Sequence, residues 1–308
     1  MTKNPSASLL ARLKNVSKAT GMDMPNVMRK YAHDRLLRLM HDSGTSELFC
    51  LKGGVLLGVL FDGNVYRPTH DLDFNGMKDG MTLADLEKII VEICQSHDGS
   101  DGLLFRSETI RTTKDRDGIV PGGKLAFDAL IGTSRIQLKI DIGYGNVITP
   151  SAQPIIVPTI LPDLVPPIPF AAYPLETTIA EKMHAMCRHG MVNTRIKDYF
   201  DIYIMSKSFE FIGDELALAI QNTFEQHDTD IPETFSALSD RFAEDRRNGH
   251  TWREFIDLAR AMVTEDFVEV VRDLRAFVEP VIEHAVHGSG LGNWHPETGW
   301  ISYGLHNR

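Results

Sequence analysis

Cysteine is scarce in this chain of 308 residues. The three cysteines, Cys50, Cys94 and Cys187, are odd in number and lie far apart. Disulfide-rich domains carry an even set of cysteines, and cysteine-rich zinc sites carry closely spaced pairs. The sequence therefore points to neither a disulfide framework nor a cysteine-rich zinc site.

Long apolar segments are missing as well. The longest, Gly53 to Phe61, is far shorter than the roughly 20 residues that a membrane-spanning helix needs. The N-terminus has basic residues beyond a short apolar patch and no small-residue cleavage site, so it does not resemble a secretory signal. We expect a cytoplasmic protein with no membrane partner.

The chain also lacks an excess of positive charge. Its formal net charge is −10, which argues mildly against a protein whose whole surface grips nucleic acid. A local basic path remains open, although on charge alone we interpret the two basic stretches of the sequence as ordinary solvated faces. These stretches contain Arg106, Arg111, Lys114 and Arg116 in one case, and Arg188, Arg195 and Lys197 in the other.

The first 149 residues mix helical and strand-like segments without a strict βαβ alternation. This pattern predicts a mixed or antiparallel α+β sheet flanked by helices. Thr82 and Asp85 resemble a helix start. The predicted helices are 6–20, 24–43, 55–61 and 83–96, and the predicted strands are 48–51, 69–75, 103–113, 119–131 and 134–142.

Proline then becomes dense, with eight of the chain's 15 prolines between Pro150 and Pro174. Because proline at that density disfavours helix and central strand, residues 150–174 are predicted to be an extended connector between domains. Residues 175–287 are predicted to form an all-helical C-terminal domain, and 288–308 a loosely ordered tail. Its helices are expected at 175–190, 195–207, 213–227, 232–245, 251–263 and 266–285, with Pro280 kinking or ending the last.

Lys52, Gly53 and Gly54 stand between a predicted strand and a predicted helix. Two glycines at such a junction let the backbone approach a ligand closely, and the free N–H groups of the helix start favour a phosphate. Taken alone, a diglycine turn is weak evidence, since most such pairs are simply turns.

Asp71 and Asp73 alternate with Leu72 and Phe74 along a predicted strand. Residues i and i+2 of a strand point to the same side, so the two carboxylates project together while their apolar neighbours face the core. Paired carboxylates repel unless something neutralises them, and Mg²⁺ binds one or two carboxylates together with phosphate oxygens. The simpler alternative is a solvent-exposed strand face with two acids.

Asp141 offers a third carboxylate, on the polar face of the predicted strand 134–142 together with Gln137 and Lys139. If this strand lies beside 69–75, three acids converge on one face of the sheet. Two metal ions and three carboxylates suit an in-line nucleotidyl displacement. The alternative is a surface acid paired with Lys139 or Arg135.

A second cluster lies on the predicted helices 175–190 and 195–207. Lys182 flanks the buried stripe of the first helix, where it could reach a triphosphate or extend to water. Asp198 and Asp201 lie on one face of the next helix, and a surface ion pair between Lys197 and Asp201 is an alternative.

Two further features are interpreted as structural. His184 and His189 lack metal-ligand spacing and are taken as ordinary helix residues. The stretch 121–124 is interpreted as a hairpin turn, because it lacks the length and the Ser or Thr of a phosphate-binding loop.

Together these motifs resemble the AbiEii/AbiGii toxin family, a branch of the DNA polymerase beta-like nucleotidyltransferases. The resemblance spans roughly 48 to 205, and it depends on the order and spacing of five motifs. These are Leu51-Lys-Gly-Gly54, Arg67-Pro-Thr-His-Asp71-Leu-Asp73-Phe74, Lys139-Ile-Asp141-Ile142, Ala180-Glu-Lys182 and Lys197-Asp198-Tyr-Phe-Asp201.

The resemblance implies Mg²⁺ as cofactor and a nucleoside triphosphate as substrate, GTP or a pyrimidine nucleotide. It assigns phosphate contacts to the Lys52, Gly53 and Gly54 turn and to Lys182, and metal binding to Asp71 and Asp73. Asp141 would be a third ligand or a base, and Asp198 and Asp201 would act near the nucleotide or the acceptor. One departure is that the turn of the wider superfamily is usually Gly-Ser, whereas Gly54 has no hydroxyl to hold phosphate.

The family also implies a toxin with a cognate antitoxin, whose direct contact with the toxin stays open. Some members add nucleotides to the 3′ end of tRNA. The leading hypothesis is therefore Mg²⁺-dependent transfer of a nucleotide to tRNA or another macromolecular acceptor. Two alternatives are transfer to a small-molecule hydroxyl, such as that of an aminoglycoside, and a nucleotide-binding interaction module without catalysis.

Overall fold

The computed structural model describes residues 4–61, 69–78, 80–114, 122–259 and 263–301. The chain forms two compact units. The first comprises the residues up to 146 together with 153–172, and the second comprises 147–152 together with the residues from 173 onward. Arg67 and Pro68 of the second motif, and Pro121 of the predicted hairpin turn, lie outside the described residues.

The first unit is built on a mixed sheet. Within the described residues its strands lie in the order β3-β4-β5-β2-β1-β7-β6. The elements, in chain order, are α1 (Pro5–Thr20), α2 (Met24–Asp42), β1 (Phe49–Lys52), α3 (Gly53–Leu60), β2 (Asp71–Gly76), α4 (Leu83–Ser96), β3 (Leu103–Lys114), β4 (Gly122–Ile131), β5 (Ser134–Tyr144), β6 (Gln153–Val157) and β7 (Ile168–Ala172). The predicted α+β class is confirmed.

Alternating residues give this sheet one apolar face and one polar face. In β5, Ile136, Leu138 and Ile140 are buried, whereas Arg135, Gln137 and Lys139 are exposed. Helices pack on the sheet, α2 against β5 and β7, and α4 against β3 and β4. Burial of the apolar face drives this packing and leaves the polar residues of β5 accessible.

The start of α4 follows its predicted signal. The Thr82 hydroxyl accepts a hydrogen bond from the Asp85 amide, and the Asp85 carboxylate accepts one from the Thr82 amide. This reciprocal capping box satisfies two backbone donors that a helix start otherwise leaves open.

The predicted connector at 150–174 is wrong in part, because β6 and β7 lie within it and extend the sheet. Proline is compatible with these strands where no ladder donor is required. Pro154 lies in β6, the edge strand, and Pro169 lies in β7 away from the Leu51–Ala172 pairing with β1. An edge strand needs donors on one side only.

The second unit is mainly helical. Its elements, in chain order, are α5 (Leu175–His189), α6 (Ile196–Ser208), β8 (Phe211–Ile212), α7 (Gly213–Gln226), α8 (Asp240–Ala243), α9 (Arg246–Ala259), α10 (Phe267–His287), β9 (Asn293–His295) and β10 (Gly299–Ile301). None of the helices in the described part of the chain is long and apolar enough to cross a bilayer.

The prediction of an all-helical second domain, and that of a loosely ordered tail as far as residue 301, are corrected by a small sheet, in which β9 lies between β8 and β10. Residues 302–308 of the predicted tail lie outside the described residues. The tail is anchored by aromatic side chains. Trp294 is buried and its indole donates to the Ser206 carbonyl at 2.7 Å, and the Trp300 ring stacks on Phe277 with centroids 5.7 Å apart. Strands of three residues are too short to show a period in the sequence.

Three local predictions also differ from the structure. The predicted helix 232–245 contains only the short α8 and a 3₁₀ turn over Ser236–Leu238. Helix α10 continues past Pro280 to His287, because buried residues on both sides of the proline hold it in place. Gly122 to Lys124 lie in β4 rather than in a turn.

Candidate active site

Strands β2 and β5 are parallel neighbours, as the predicted convergence of acids required. Asp73 lies opposite Asp141, and Asp71 lies opposite Lys139. Residues that face each other across adjacent strands project from the same side of the sheet. Asp71, Asp73 and Asp141 therefore share the polar face.

Charged residues form a row across four strands on this face. Lys52 of β1 is the cross-strand partner of Asp73, Asp73 is that of Asp141, and Asp141 is that of Lys124 in β4. The Lys124 ammonium lies 2.8 Å from a carboxylate oxygen of Asp141. Asp141 therefore pairs with Lys124, and not with the Lys139 or Arg135 of the sequence-based alternative.

Gly53 makes the closest backbone approach to this row. Its φ of +69° lies in the left-handed region, and a Cβ atom at this position would lie 2.0 Å from Oδ2 of Asp73. Glycine is thus required here both for its conformation and for space. The Asp73 carboxylate packs against the first residue of α3, where the N-terminal end of the helix favours negative charge.

Asp71 has an unsatisfied carboxylate oxygen. Its Oδ1 is buried and has no hydrogen-bond partner among the described residues. An ionised oxygen without partners is costly unless a cation or donor completes it. The arrangement of Asp71 and Asp73 beside a glycine bend fits a divalent cation, because Mg²⁺ needs only one or two protein carboxylates together with substrate oxygens.

The predicted group of three metal ligands is not preformed. Across the described ranges, no three His, Cys, Asp or Glu side chains are grouped so that they could hold a metal ion. Asp141 instead forms an ion pair with Lys124. Asp141 stays a predicted third ligand or base, while Asp71 and Asp73 form the pair that fits a cation.

Lys52 and two asparagines border the same face. A Cβ atom on Gly143 would lie 3.9 Å from Nζ of Lys52 and 2.9 Å from Nδ2 of Asn146, so both side chains extend over β5. Buried Asn75 donates to the Asn146 carbonyl at 3.2 Å and accepts from the Asn146 amide at 3.4 Å. These two hydrogen bonds fix the chain where it leaves β5.

The histidine before the acid pair is kept neutral. Partial burial, reinforced by the nearby Arg29 cation, lowers the pKa of His70, although Asp71 acts in the opposite direction. A neutral imidazole next to Asp71 adds no positive charge to compete with a metal ion.

In the second unit, Lys182 joins helices α5 and α6. Its ammonium lies 2.8 Å from Oδ1 of Asp198 and 2.6 Å from Oδ2 of Asp201, and both aspartates are fully buried. Arg195 completes a tetrad through Nε, 2.6 Å from the other oxygen of Asp198. Lys182 therefore does not extend to water, and Asp201 is buried against Lys182 instead of lying on the surface as the alternative required.

Two cations and two carboxylates make this tetrad formally neutral. Burial raises the pKa of Asp198, but the adjacent Lys182 and Arg195 outweigh burial, so that the net pKa is lowered and the carboxylate stays ionised. Opposite charges held at hydrogen-bond distance in a buried site offset each other's desolvation.

The sequence matches a family model over residues 35–279, and that model describes the nucleotidyl transferase AbiEii toxin of type IV toxin–antitoxin systems. The match covers most of the chain and includes both residue clusters. The chain belongs to the AbiEii family. It is a nucleotidyltransferase of the toxin–antitoxin type, a family that uses a nucleoside triphosphate with a divalent metal ion.

Two solved structures are similar to this AbiEii chain. JHP933 from Helicobacter pylori has 14% sequence identity and a TM-score of 0.45, covering 84% of this chain and 91% of its own. MenT4, a nucleotidyltransferase toxin from Mycobacterium tuberculosis, has 15% identity and a TM-score of 0.46, covering 89% of this chain and 97% of its own. No curated protein sequence matches the chain.

Several contacts at the two clusters of this AbiEii protein were not predicted from the sequence. Lys124 fell both within the predicted strand 119–131 and within the predicted turn 121–124; the strand is confirmed, but the pairing of Lys124 with Asp141 was not predicted. Arg195 stands three residues before Asp198, a spacing that allows the ion pair. The Asn75–Asn146 bonds join residues far apart in sequence, and no local pattern indicates them.

Proposed function

We propose that this AbiEii toxin transfers a nucleotide from a nucleoside triphosphate to an RNA acceptor, with tRNA as the first candidate, in a reaction that depends on Mg²⁺. The observation that carries the proposal is the unsatisfied oxygen of Asp71 on the same strand face as Asp73, beside the bend at Gly53.

In this proposal Asp71 and Asp73 hold the cation. When bound, magnesium neutralises triphosphate charge and lowers the pKa of the attacking hydroxyl. Lys52 and the N–H groups of Gly53 and Gly54 bind the phosphates, because an ammonium group and a helix start both favour anions. Without a Gly54 hydroxyl, the backbone and Lys52 carry this contact.

Asp141 accepts the proton of the acceptor hydroxyl, whose oxygen attacks the α-phosphorus while the bond to the departing pyrophosphate breaks, or it serves as a third ligand. Its place in the register next to Asp73 puts it beside the cation pair. Either role requires Asp141 to give up its ion pair with Lys124. This pair is partly exposed and costs little to break.

Lys182, Asp198 and Asp201 stay predictions as nucleotide-site residues. The neutral tetrad supports a structural contribution within the second unit, because both aspartates already neutralise Lys182. A phosphate contact by Lys182 would require this lysine to leave two buried carboxylates, a costly change.

The donor nucleotide in the proposal is GTP or a pyrimidine triphosphate, and the toxin acts in the cytoplasm, where triphosphates and RNA are available. Its family implies a cognate antitoxin.

The test is an incubation of the full chain with each labelled triphosphate, Mg²⁺ and total tRNA, beside a panel of aminoglycosides. Label on tRNA that requires Mg²⁺ and disappears in Asp71→Ala supports the proposal. Label on an aminoglycoside supports the small-molecule alternative, and triphosphate binding without transfer supports a non-catalytic module. Full activity of Asp71→Ala refutes the site assignment.

A further inference from the structure

Strand β3 is interrupted opposite the middle of β4. The pairing steps from Arg106 opposite Asp128 to Arg111 opposite Ala126, so residues 107–110 face a single residue of β4. A bulge of this kind bends a strand and turns side chains away from the ladder. The Thr109 hydroxyl fixes the bulge, since it donates to the Arg106 carbonyl at 2.7 Å and accepts from the Asp128 amide at 3.0 Å.

The bulge creates a groove of about 490 Å³. We call it the bulge groove. It lies over β3, β4 and β5, and it is entirely within the first unit. Its charged lining consists of Arg106, Glu108, Arg111, Asp128 and Arg135.

The bulge groove opens on the same face as the acid row. Arg135, Gln137, Lys139 and Asp141 alternate along the polar side of β5. At about 3.3 Å per residue, Gln137 lies roughly 13 Å from Asp141 along the strand. A polymer whose reacting end is at Asp141 can therefore follow the strand into the groove.

Positive charge is available in and beside the bulge groove. Two of its arginines hold ion pairs with acids of the lining, Arg106 with Glu108 and Arg135 with Asp128. Arg135 is largely exposed and Arg106 partly exposed, whereas Asp128, the partner of Arg135, is nearly buried. The Arg106–Glu108 pair is the more exposed of the two, and pairs of that kind are weak. Arg111 is exposed and has no ion pair among the described residues, and this also holds for Lys139.

We propose that the bulge groove binds the phosphodiester backbone of an RNA acceptor, upstream of the nucleotide that reacts. The position assigned to the reacting end rests on the proposed function, whereas RNA binding by the groove does not. At about 3.4 Å per stacked nucleotide, the ~13 Å from Asp141 corresponds to about four nucleotides. Arginine forks bind phosphate oxygens through paired N–H groups, which matches a partner with regularly spaced anions.

An acidic protein segment would match the same arginines less well. The groove also carries Glu108 and Asp128, which repel closely packed carboxylates, whereas a phosphodiester backbone spaces its charges and can contact Arg111 and Arg135 separately. Because the chain's net charge is −10, its overall charge does not favour anions, and a local anion-binding surface therefore indicates a specific anionic partner. Binding of poly-glutamate in place of RNA is therefore one of the outcomes that would contradict the proposal.

The test measures fluorescence anisotropy of a labelled 12-nucleotide single-stranded RNA with the full chain, without triphosphate, over a series of salt concentrations. Arg111→Gln with Arg135→Gln neutralises the groove. Because each phosphate contact contributes about 0.7 to the slope of log K against log salt, the double variant should reduce this slope by about 1.4. Arg111→Gln alone leaves every ion pair intact and should reduce it by about 0.7.

A matched control neutralises two exposed cations of the same unit, Lys14→Gln with Lys18→Gln on α1. The proposal predicts wild-type affinity for this control. It is overturned if the control weakens RNA binding as much as the groove variant does, if the groove variants bind like wild type, or if poly-glutamate binds the groove and RNA does not. Thermal melting followed by circular dichroism checks that each variant is folded.

A second measurement separates this proposal from the function. Transfer is compared on the 12-nucleotide RNA and on a trinucleotide, which spans only about 10 Å when stacked and so falls short of Gln137 and Arg135. The groove variant should raise the KM for the long acceptor and leave the KM for the trinucleotide and the triphosphate unchanged, and an equal rise for both acceptors overturns the proposal. If no transfer occurs at all, the function has failed and the anisotropy series still decides the groove.

Discussion

Gly53 and Asp73 occupy mutually exclusive space: the Asp73 carboxylate lies where a Cβ atom of residue 53 would be, at 2.0 Å. The positive φ of Gly53 turns the chain from β1 into α3 at this contact. One glycine therefore sets both the start of the helix that is proposed to bind phosphate and the position of a proposed metal ligand. This coupling makes residue 53 a sensitive test of the site.

Replacing Gly53 by alanine should inactivate the enzyme. The left-handed backbone costs an L-residue about 1–2 kcal/mol, and the methyl group displaces the Asp73 carboxylate. Because a shift of about 1 Å at reacting groups can cost roughly a hundredfold in rate, transfer should fall by about that factor. The measurement is the rate of label transfer at saturating triphosphate.

Gly58 provides the matched control on the same helix. A Cβ atom there meets nothing within 4 Å, and its φ is not in the left-handed region. Gly58→Ala should therefore preserve transfer and raise stability by up to about 1 kcal/mol through helix propensity. Equal activities of the two variants would contradict the role given to Gly53.

Asp71→Asn should separate catalysis from folding. The neutral side chain removes a carboxylate whose buried oxygen has no partner among the described residues, so the melting temperature should stay the same or rise. Transfer should fall on the order of 10²–10³-fold, as for removal of one group that stabilises transition-state charge. Asp163→Asn, an exposed acid of the same unit, should change neither quantity. A large loss of stability in Asp71→Asn would assign that residue to the fold instead.

Much of the acid site was accessible from the sequence because strand geometry is local. Alternation along 69–75 placed Asp71 and Asp73 on one face, and the alternation of 134–142 did the same for Asp141. The pairing of β2 with β5 was only a condition of that prediction. Register across strands depends on which segments meet in space, and the sequence of a strand does not indicate which strand it pairs with.

The same limit explains the wrong assignments. Lys124 belongs to a strand that begins at Gly122, but adjacent glycines look like a turn to any local rule. Pro169 was taken to exclude a strand, although the ladder needs no donor from it. Trp294 and Trp300 are anchored by contacts with Ser206 and Phe277, which are distant in sequence. Each error involves a long-range partner.

Lys182→Met should destabilise the second unit strongly. The substitution leaves Asp198 and Asp201 buried without the cation they share, and breaking a buried pair in this way typically costs about 3–5 kcal/mol. All three tryptophans of the chain (Trp252, Trp294 and Trp300) lie in this unit. Tryptophan fluorescence during denaturant unfolding therefore reports on the unit directly.

Lys207→Met is the control, because Lys207 forms a more exposed pair with Asp273 that should contribute at most about 1 kcal/mol. The role of the tetrad is tested by comparing stability with transfer in Lys182→Met. Unchanged stability with lost transfer would instead favour the predicted contact between Lys182 and the triphosphate.

The stability of the second unit should decrease as pH falls from about 6.5 toward 4. Burial, assisted by His227 and Arg188, lowers the pKa of His184 from 6.5 to about 4, against a smaller opposing effect of Glu181. The His184 ring stacks on His227 with centroids 4.2 Å apart and contacts Phe224 edge-on, so the folded unit keeps it neutral. Between these two pH values the unfolded chain binds a proton that the folded chain excludes, which favours unfolding.

His184→Gln removes this proton uptake and should make the denaturation midpoint, followed by tryptophan fluorescence, depend less on pH over that window. Above about pH 7.5, roughly one unit beyond the unfolded-state pKa, neither state is appreciably protonated at residue 184, so any difference between variant and wild type there reflects packing and not titration. His250→Gln, an exposed histidine of the same unit, should retain the wild-type pH dependence. If His184→Gln loses stability between pH 6.5 and 4 as steeply as wild type, another group carries the acid sensitivity.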